Sequence, residues 1–431
     1  MRVLMFGWEF PPIISGGLGT ATYGITKGLS NNGVDLIFVM PTKKGQKFET
    51  PFTIIAADEV HRIKKYSEVI ARISVSEQKS LRQSFTIAPY FTKEIFEEFI
   101  TTTQNKETIK KLYYDSKGIM RFTGNYGKNL MDEVYRYGLI GEILGFSEDF
   151  DIIHAHDWLT YYAGVAAKKA SGKKLIVHVH ATEFDRSGEN VNQAVYDIER
   201  LGMENADKII AVSYFTKNII VTRYGIDPDK IEVVHNAVDK NRKIEQFGIK
   251  KNVDEKIVLF LGRITMQKGP DYFIEAAYKV YKVMKNVRFV MAGSGDMLSR
   301  MILRMASLKM LDRFHFTGFL KGMEVERMYA MSDIYVMPSV SEPFGISPFE
   351  ALVYDIPTII SKQSGVAEIL KNAPKVDFWD VNKLAEWMIL LLQNEDFANE
   401  VAEKSKEDME NIGWDNAGLN IKNVYSKVIN Q

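Results

Sequence analysis

The stretch SEPFGISPFE, Ser341 to Glu350, follows the apolar run DIYVMPS, Asp333 to Ser339, and leads into FEALVY. The run reads as a buried parallel strand, and Pro343, Gly345 and Pro348 punctuate a sharp turn into a helix. Strand, tight loop and helix in succession form the repeating unit of a parallel α/β sheet. The junction is also a natural anion site, because the first N–H groups of a helix lack backbone partners. Glu342 and Glu350 stand on either side of the turn. Carboxylates beside an anion site repel a bare phosphate, so the pattern suits a ligand bearing both phosphates and neutral hydroxyls. Glu350 has a second reading, because Ser347-Pro348-Phe349-Glu350 has the form of a capping box. Glu342 precedes the helix and has no such duty.

Outward from this stretch, short apolar runs alternate with amphipathic segments along most of the chain. The first half carries VLMFGW, VDLIFVM, DIIHAH, KLIVHVH, DKIIAVS and IEVVHN, and the second carries KIVLFLG, VRFVMAG, RFHFTG, DIYVMPS and IPTIIS. Between them Asn236 to Lys256 is polar, charged and without apolar period. The reading is α/β, with two Rossmann-like, doubly wound domains, at residues 1–237 and 238–412. An insertion over about 43–145 mixes β-like pieces (FTIIAA, FTIAPYF) with helical ones around Lys93–Tyr114 and Asn129–Leu144. Residues 413–431 read as an amphipathic closing helix expected to pack back on the first domain.

Composition narrows the classes. In 431 residues, Lys plus Arg and Asp plus Glu are 55 each and cysteine is absent. Zero net charge argues against nucleic acid as the main partner. Lack of cysteine excludes disulfides, thiolate metal sites and a cysteine nucleophile. No apolar run approaches the length of a membrane span, and MRVLMFGW reads as a strand rather than a leader. No stable membrane insertion and a cytoplasmic location are expected, and a homo-oligomer is left open.

Other junctions carry chemistry-bearing residues. Gly16, Gly17 and Gly19 in SGGLG follow the first strand, where a backbone can approach a diphosphate closely. Their spacing is neither the dinucleotide fingerprint nor the nucleoside-triphosphatase loop. In FLGRITMQKGP, Arg263 and Lys268 lie just past a strand's carboxyl end, where open α/β sheets bind ligands. An arginine fork and a mobile ammonium suit a leaving diphosphate. HAHDW (His154 to Trp158) and HVHATEFDR (His178 to Arg186) end two more strands. His154 and His178 read as pointing into the sheet, and with no third ligand pattern no metal is assigned. The triplets Asp149–Asp151 and Asp227–Asp229 precede strands, the wrong end for catalysis. The glycine turn VMAGSGD, Val290 to Asp296, reads equally as a nucleotide contact or a plain turn.

With these residues assembled, the chain resembles the retaining glycosyltransferases of the GT-B fold, most closely the glycogen and starch synthases, over essentially its whole length. The resemblance implies two domains facing across a cleft. Its glycine loop is SGGLG, with Ser15 where the family has a lysine. It implies Asp157 as an active-site carboxylate, His180 at the transferred glucose, and Arg263 and Lys268 as the phosphate pair. Glu342 would lie at the sugar and Glu350 at the ribose, with Gly16, Gly17, Gly345, Ile346 and Ser347 offering donor contacts. Tyr126 falls in a segment similar to the synthases' acceptor side. The implied substrates are ADP-glucose or UDP-glucose and an α-glucan or oligosaccharide, without metal or cofactor. The alternatives are the same fold acting on another oligosaccharide, cell-wall or lipid acceptor, and a non-catalytic nucleotide-sugar-binding protein.

Overall fold

A computed structural model describes residues 1–13, 16–62, 122–127, 129–239 and 254–431. Ser15, the expected strand FTIAPYF, the helical piece around 93–114 and most of the expected inter-domain stretch lie outside the described residues.

Two parallel sheets organise the rest. The first runs β3-β2-β1-β4-β5-β6-β7, with β1 at Arg2–Phe6, β2 at Asp35–Met40, β3 at Thr53–Ala56, β4 at Ile152–His156, β5 at Lys174–Val179, β6 at Lys208–Ala211 and β7 at Ile231–Val233. The second runs β10-β9-β8-β11-β12-β13, with β8 at Lys256–Leu261, β9 at Val287–Ala292, β10 at Phe314–Gly318, β11 at Ile334–Met337, β12 at Thr358–Ser361 and β13 at Lys375–Val376. Each sheet winds outward both ways from its first strand, so the switch points fall between β1 and β4 and between β8 and β11. This is the expected pair of Rossmann-like units. Every run of the two series quoted above is a strand, and FTIIAA supplies β3. β13 was not foreseen, since two residues carry no readable period.

The strands are apolar on both faces because helices cover both. On one face of the first sheet, Ile153, Ala155 and Val177 pack with Tyr137 from the helix Leu130–Ser147. On the other, Val3, Met5, Ile152 and Ile176 pack with the helix Gly17–Asn31 and the closing helix Trp414–Ile429, through Ile25, Ile421 and Tyr425. Asn31 Nδ2 donates to Asp415 at 2.8 Å, fastening the last helix to the first. The Asp triplets sit at strand entries: Asp151 accepts from the Arg2 amide at 2.7 Å, and Asp227 accepts from the Asp229 amide at 2.9 Å.

The lobes touch through loops at the carboxyl ends of their strands. Ser341 donates to Asp185 at 2.5 Å, and Ser213 donates to the Pro343 carbonyl at 2.5 Å. Glu368 accepts from the amides of Tyr214 and Phe215, at 3.0 and 2.6 Å, and lies 2.9 Å from His235 Nε2. A second-lobe carboxylate thus meets the positive end of a first-lobe helix.

Candidate active site

β11 leads into the stretch that carries both glutamates. The Glu342 amide donates to the Gln363 carbonyl at 3.0 Å, and the Glu342 carbonyl accepts from Gly365 at 2.9 Å. These bonds extend the β11–β12 pairing, so Glu342 is held by the sheet rather than by a free loop. Its carboxylate pairs with Lys268 and accepts from Ser339 Oγ at 3.1 Å. Lys268, Tyr335, Ser339, Glu342 and Ser347 line one small cavity. Gly345 makes the turn, with φ at +97° and room for a side chain denied by Glu342 Cγ, 3.1 Å from where a Cβ would lie.

The capping-box reading of Ser347 and Glu350 fails. The helix Ser347–Val353 has no side-chain cap, and Ser347 Oγ instead accepts from Tyr335 at 2.8 Å. Glu350 accepts from the Tyr329 hydroxyl at 3.2 Å. Buried tyrosines from β11 and a neighbouring helix reach this turn and take both side chains.

Arg263 and Lys268 lie on the loop after β8, with Arg263 exposed and donating to Gln267 at 3.1 Å. The Gln267 carbonyl accepts from Val340 at 2.9 Å, joining this loop to the one carrying Glu342. The turn after β9 has a structural duty. Ile264 donates to the Ser294 carbonyl at 2.9 Å, and a Cβ on Gly293 would lie 1.8 Å from the Gly262 carbonyl oxygen. The Arg263 loop therefore rests against bare backbone. Gly16 and Gly17 open the helix Gly17–Asn31 with no side-chain cap and, among the described residues, nothing within 4 Å of an added Cβ.

Across from these loops, Asp157 follows β4 at φ +58°, an uncommon conformation for a residue with a Cβ. Its Oδ1 accepts from the His180 amide at 2.7 Å and the Ala181 amide at 3.4 Å. Burial pushes the Asp157 carboxyl up to about 6, against the Arg186 charge and these two amides. Arg186 bonds Glu183, at 3.2 Å, and Glu199. Burial raises Glu199 to about 7, opposed by Arg186 and by the Tyr224 hydroxyl it accepts from.

The histidines occupy one sheet face. His156 pairs in register with His178, and His154 and His180 continue the two rows. The first three are 0–1% exposed, while His180, nearest the strand ends, is 9% exposed. Burial lowers His154 and His180 to about 3 and holds His156 and His178 well below the ordinary value, so all four are neutral at neutral pH. His154, His156 and His178 offer nitrogens within 4.8 Å of one another. However, the rings of His154 and His178 stack within 6° of parallel, and lone pairs lie in ring planes, so they do not converge on one ion.

Several polar groups at these strand ends escaped the sequence reading. Glu9, 4% exposed just after β1, accepts from the Tyr126 hydroxyl at 2.6 Å. Tyr126 is 51% exposed as a residue, and the enclosure of its hydroxyl and the Glu9 charge raise its ionisation, while Arg263 from the other lobe is close enough to oppose them. Asp185, Arg186 and Ser341 stood inside quoted motifs, but no spacing rule singled them out.

Two parallel α/β units, meeting through the loops at their strand ends, make the GT-B architecture. Residues 241–408 match the family model described as "Glycosyl transferases group 1", and residues 118–242 match "Glycosyltransferase Family 4". The chain is a glycosyltransferase of the GT-B type. It is 27% identical to an uncharacterised glycosyltransferase, MJ1607, of Methanocaldococcus jannaschii, over 99% of this chain and 98% of that one. It is 24% identical to a glycogen synthase of Mycobacterium tuberculosis, over 86% and 80%. Among solved structures it is similar to a sucrose-phosphate synthase of Thermosynechococcus elongatus, with a TM-score of 0.72 and 15% identity, over 100% and 99%. No helix among the described residues is long and apolar enough to cross a membrane.

Proposed function

We propose that the protein transfers glucose, with retention, from ADP-glucose or UDP-glucose to the non-reducing end of an α-1,4-glucan. The observation that carries this reading is the Lys268–Glu342 pair at the strand ends of the second lobe, joined to the Asp157–His180 loops by the Ser341–Asp185 hydrogen bond. The diphosphate would sit between Arg263, Lys268, the amides of Gly16 and Gly17, and the turn Gly345–Ile346–Ser347. Glu350 would take the ribose. As the glycosidic bond breaks, the leaving phosphate gains negative charge and the anomeric carbon positive charge. Arg263 and Lys268 stabilise the first. Glu342, Asp157 and His180 hold the sugar hydroxyls and face the second. The acceptor hydroxyl attacks on the side the phosphate leaves, and the phosphate oxygen takes its proton. Glu9 and Tyr126 would border the acceptor. This scheme gives no task to a metal or cofactor.

Support for glucan as acceptor comes from the glycogen synthase relative together with SGGLG and HAHDW. The test is nucleoside diphosphate release from ADP-glucose and UDP-glucose, with glycogen, with maltooligosaccharides and without acceptor. The anomer of the lengthened chain is read by proton NMR. Lengthening through a new α-linkage is expected. Turnover only with a lipid or other non-glucan acceptor, or none with either donor, overturns it.

A further inference from the structure

Four buried carboxylates, on Asp157, Glu183, Asp185 and Glu199, gather around the loop that follows β5 and share the charge of Arg186. The proposed transfer gives Arg186 no task. Its guanidinium makes three contacts at once. Nε donates to Glu183 at 3.2 Å, one terminal nitrogen donates to the Ala181 carbonyl at 3.2 Å, and the other pairs with Glu199. Glu199 stands on the helix Gln193–Asn205 and also accepts from the Glu183 amide at 3.0 Å. It accepts as well from the hydroxyl of Tyr224, at the end of the helix Tyr214–Tyr224. The loop is thus tied to two helices of its own lobe through Arg186 and Glu199.

The two ends of the loop face different lobes. Ala181, whose carbonyl Arg186 holds, turns its amide to Asp157 at 3.4 Å, beside the His180 amide at 2.7 Å. Asp185, the residue before Arg186, accepts from Ser341 of the other lobe. The short helix Glu183–Ser187 also lies against the turn Met266–Lys268, which carries Lys268. Buried charge is a poor source of stability, since apolar side chains of similar volume often serve as well or better. What a planar fork supplies is direction, because it fixes every group it bonds. We infer that Arg186 is a positioning residue: its fork sets the Ala181–Asp185 turn so that one end meets Asp157 and the other meets the loop carrying Glu342. The effect on turnover rests on the reading of Asp157 and His180 as sugar contacts, while the position of the turn does not.

The experiment uses the full chain in two variants. Arg186→Lys keeps the charge and loses the fork. Arg186→Met with Glu199→Gln removes the ion pair but leaves an amide oxygen for Tyr224 and the Glu183 amide, so Glu199 is not left charged and unpaired. Crystal structures of both are compared with wild type, and kcat and KM for donor are read from nucleoside diphosphate release. The turn should shift in both, lengthening the Ala181–Asp157 and Asp185–Ser341 contacts beyond hydrogen-bond distance. Misplacing reacting groups by about 1 Å costs about a hundredfold, so kcat should fall by about that much in the double variant and about tenfold in Arg186→Lys. KM for donor should change less, because Arg263 and Lys268 lie in the other lobe. An unmoved turn in either variant overturns the inference whatever the activity, so Arg186→Lys decides it even if the double variant does not fold. A shifted turn with wild-type kcat also overturns it. A wild type that turns over neither donor sinks the glucosyl reading and leaves this inference to the crystal structures.

Discussion

The hydroxyl of Ser341 donates to the carboxylate of Asp185 at 2.5 Å, joining the loop that carries Glu342 to the loop that follows His180. Asp185 is further held by the Thr182 amide and hydroxyl, at 2.7 and 2.8 Å. One hydrogen bond thus links strand-end loops of the two lobes. Glu368 makes a second crossing, onto the helix beginning at Tyr214.

Removing the Ser341 and Glu368 crossings, with the Ser213 bond to the Pro343 carbonyl left in place, should loosen the lobes without unfolding either. A hydrogen bond to a charged group is worth about 1.5–3 kcal/mol, enough to shift a balance between open and closed forms. Ser341→Ala with Glu368→Ala is expected to enlarge the radius of gyration in small-angle scattering relative to wild type, and added nucleoside diphosphate should bring it only part of the way back to the wild-type value.

Lys268→Ala and Arg263→Ala should each lower kcat about a hundred- to a thousandfold, the usual loss when a group stabilising developing charge is removed. The two differ in stability. Lys268→Ala removes the cation from the buried Glu342 carboxylate, which still accepts from Ser339, and should cost about 1–3 kcal/mol. Adding Glu342→Gln should recover much of that in thermal melts but none of the activity. Arg263 is exposed, so its replacement should leave the melt unchanged.

Asp157 gives a pH test. Its carboxyl is raised to about 6 in the fold against 3.8 as its ordinary value. A raised carboxyl lends stability that is present below pH about 4 and lost as pH climbs through about 6. Asp157→Asn does not titrate, so its melting temperature relative to wild type should increase across that window. The histidines act oppositely: lowered to about 3, His154 and His180 lend stability above pH about 6.5 that is lost as pH falls toward 3. A flat difference between Asp157→Asn and wild type from pH 4 to 7 would refute the burial of this carboxyl.

Gly345→Ala should cost roughly 1–3 kcal/mol, because φ +97° is unfavourable for any residue with a Cβ and the added methyl presses on Glu342 and Val366. Gly293→Ala should do worse to activity than to the fold. Its methyl meets the Gly262 carbonyl, which is backbone and cannot rotate away, so the Arg263 loop must move. Parallel measurements of melting temperature and KM for donor would show the split.

Much of the molecule was legible along the chain. Alternation of apolar runs with amphipathic segments placed nearly all strands and the two-unit architecture, because burial on both sheet faces demands continuous apolar strands whatever their partners. Positions at strand ends followed from the same rule, which singled out Arg263, Lys268 and Glu342 as candidates, while Asp157 and His180 came from the family resemblance. Register and approach were not legible. That His156 meets His178 and His180, that Glu9 meets Tyr126 across 117 positions, and that Tyr335 claims Ser347 all depend on packing between distant segments. Local sequence carries no term for that distance. The chain alone determined its layered class and which loops could hold a ligand. The fold decided which side chains in those loops share protons, because tautomers, ion pairs and lifted carboxyls are set by neighbours that only folding brings within 3 Å.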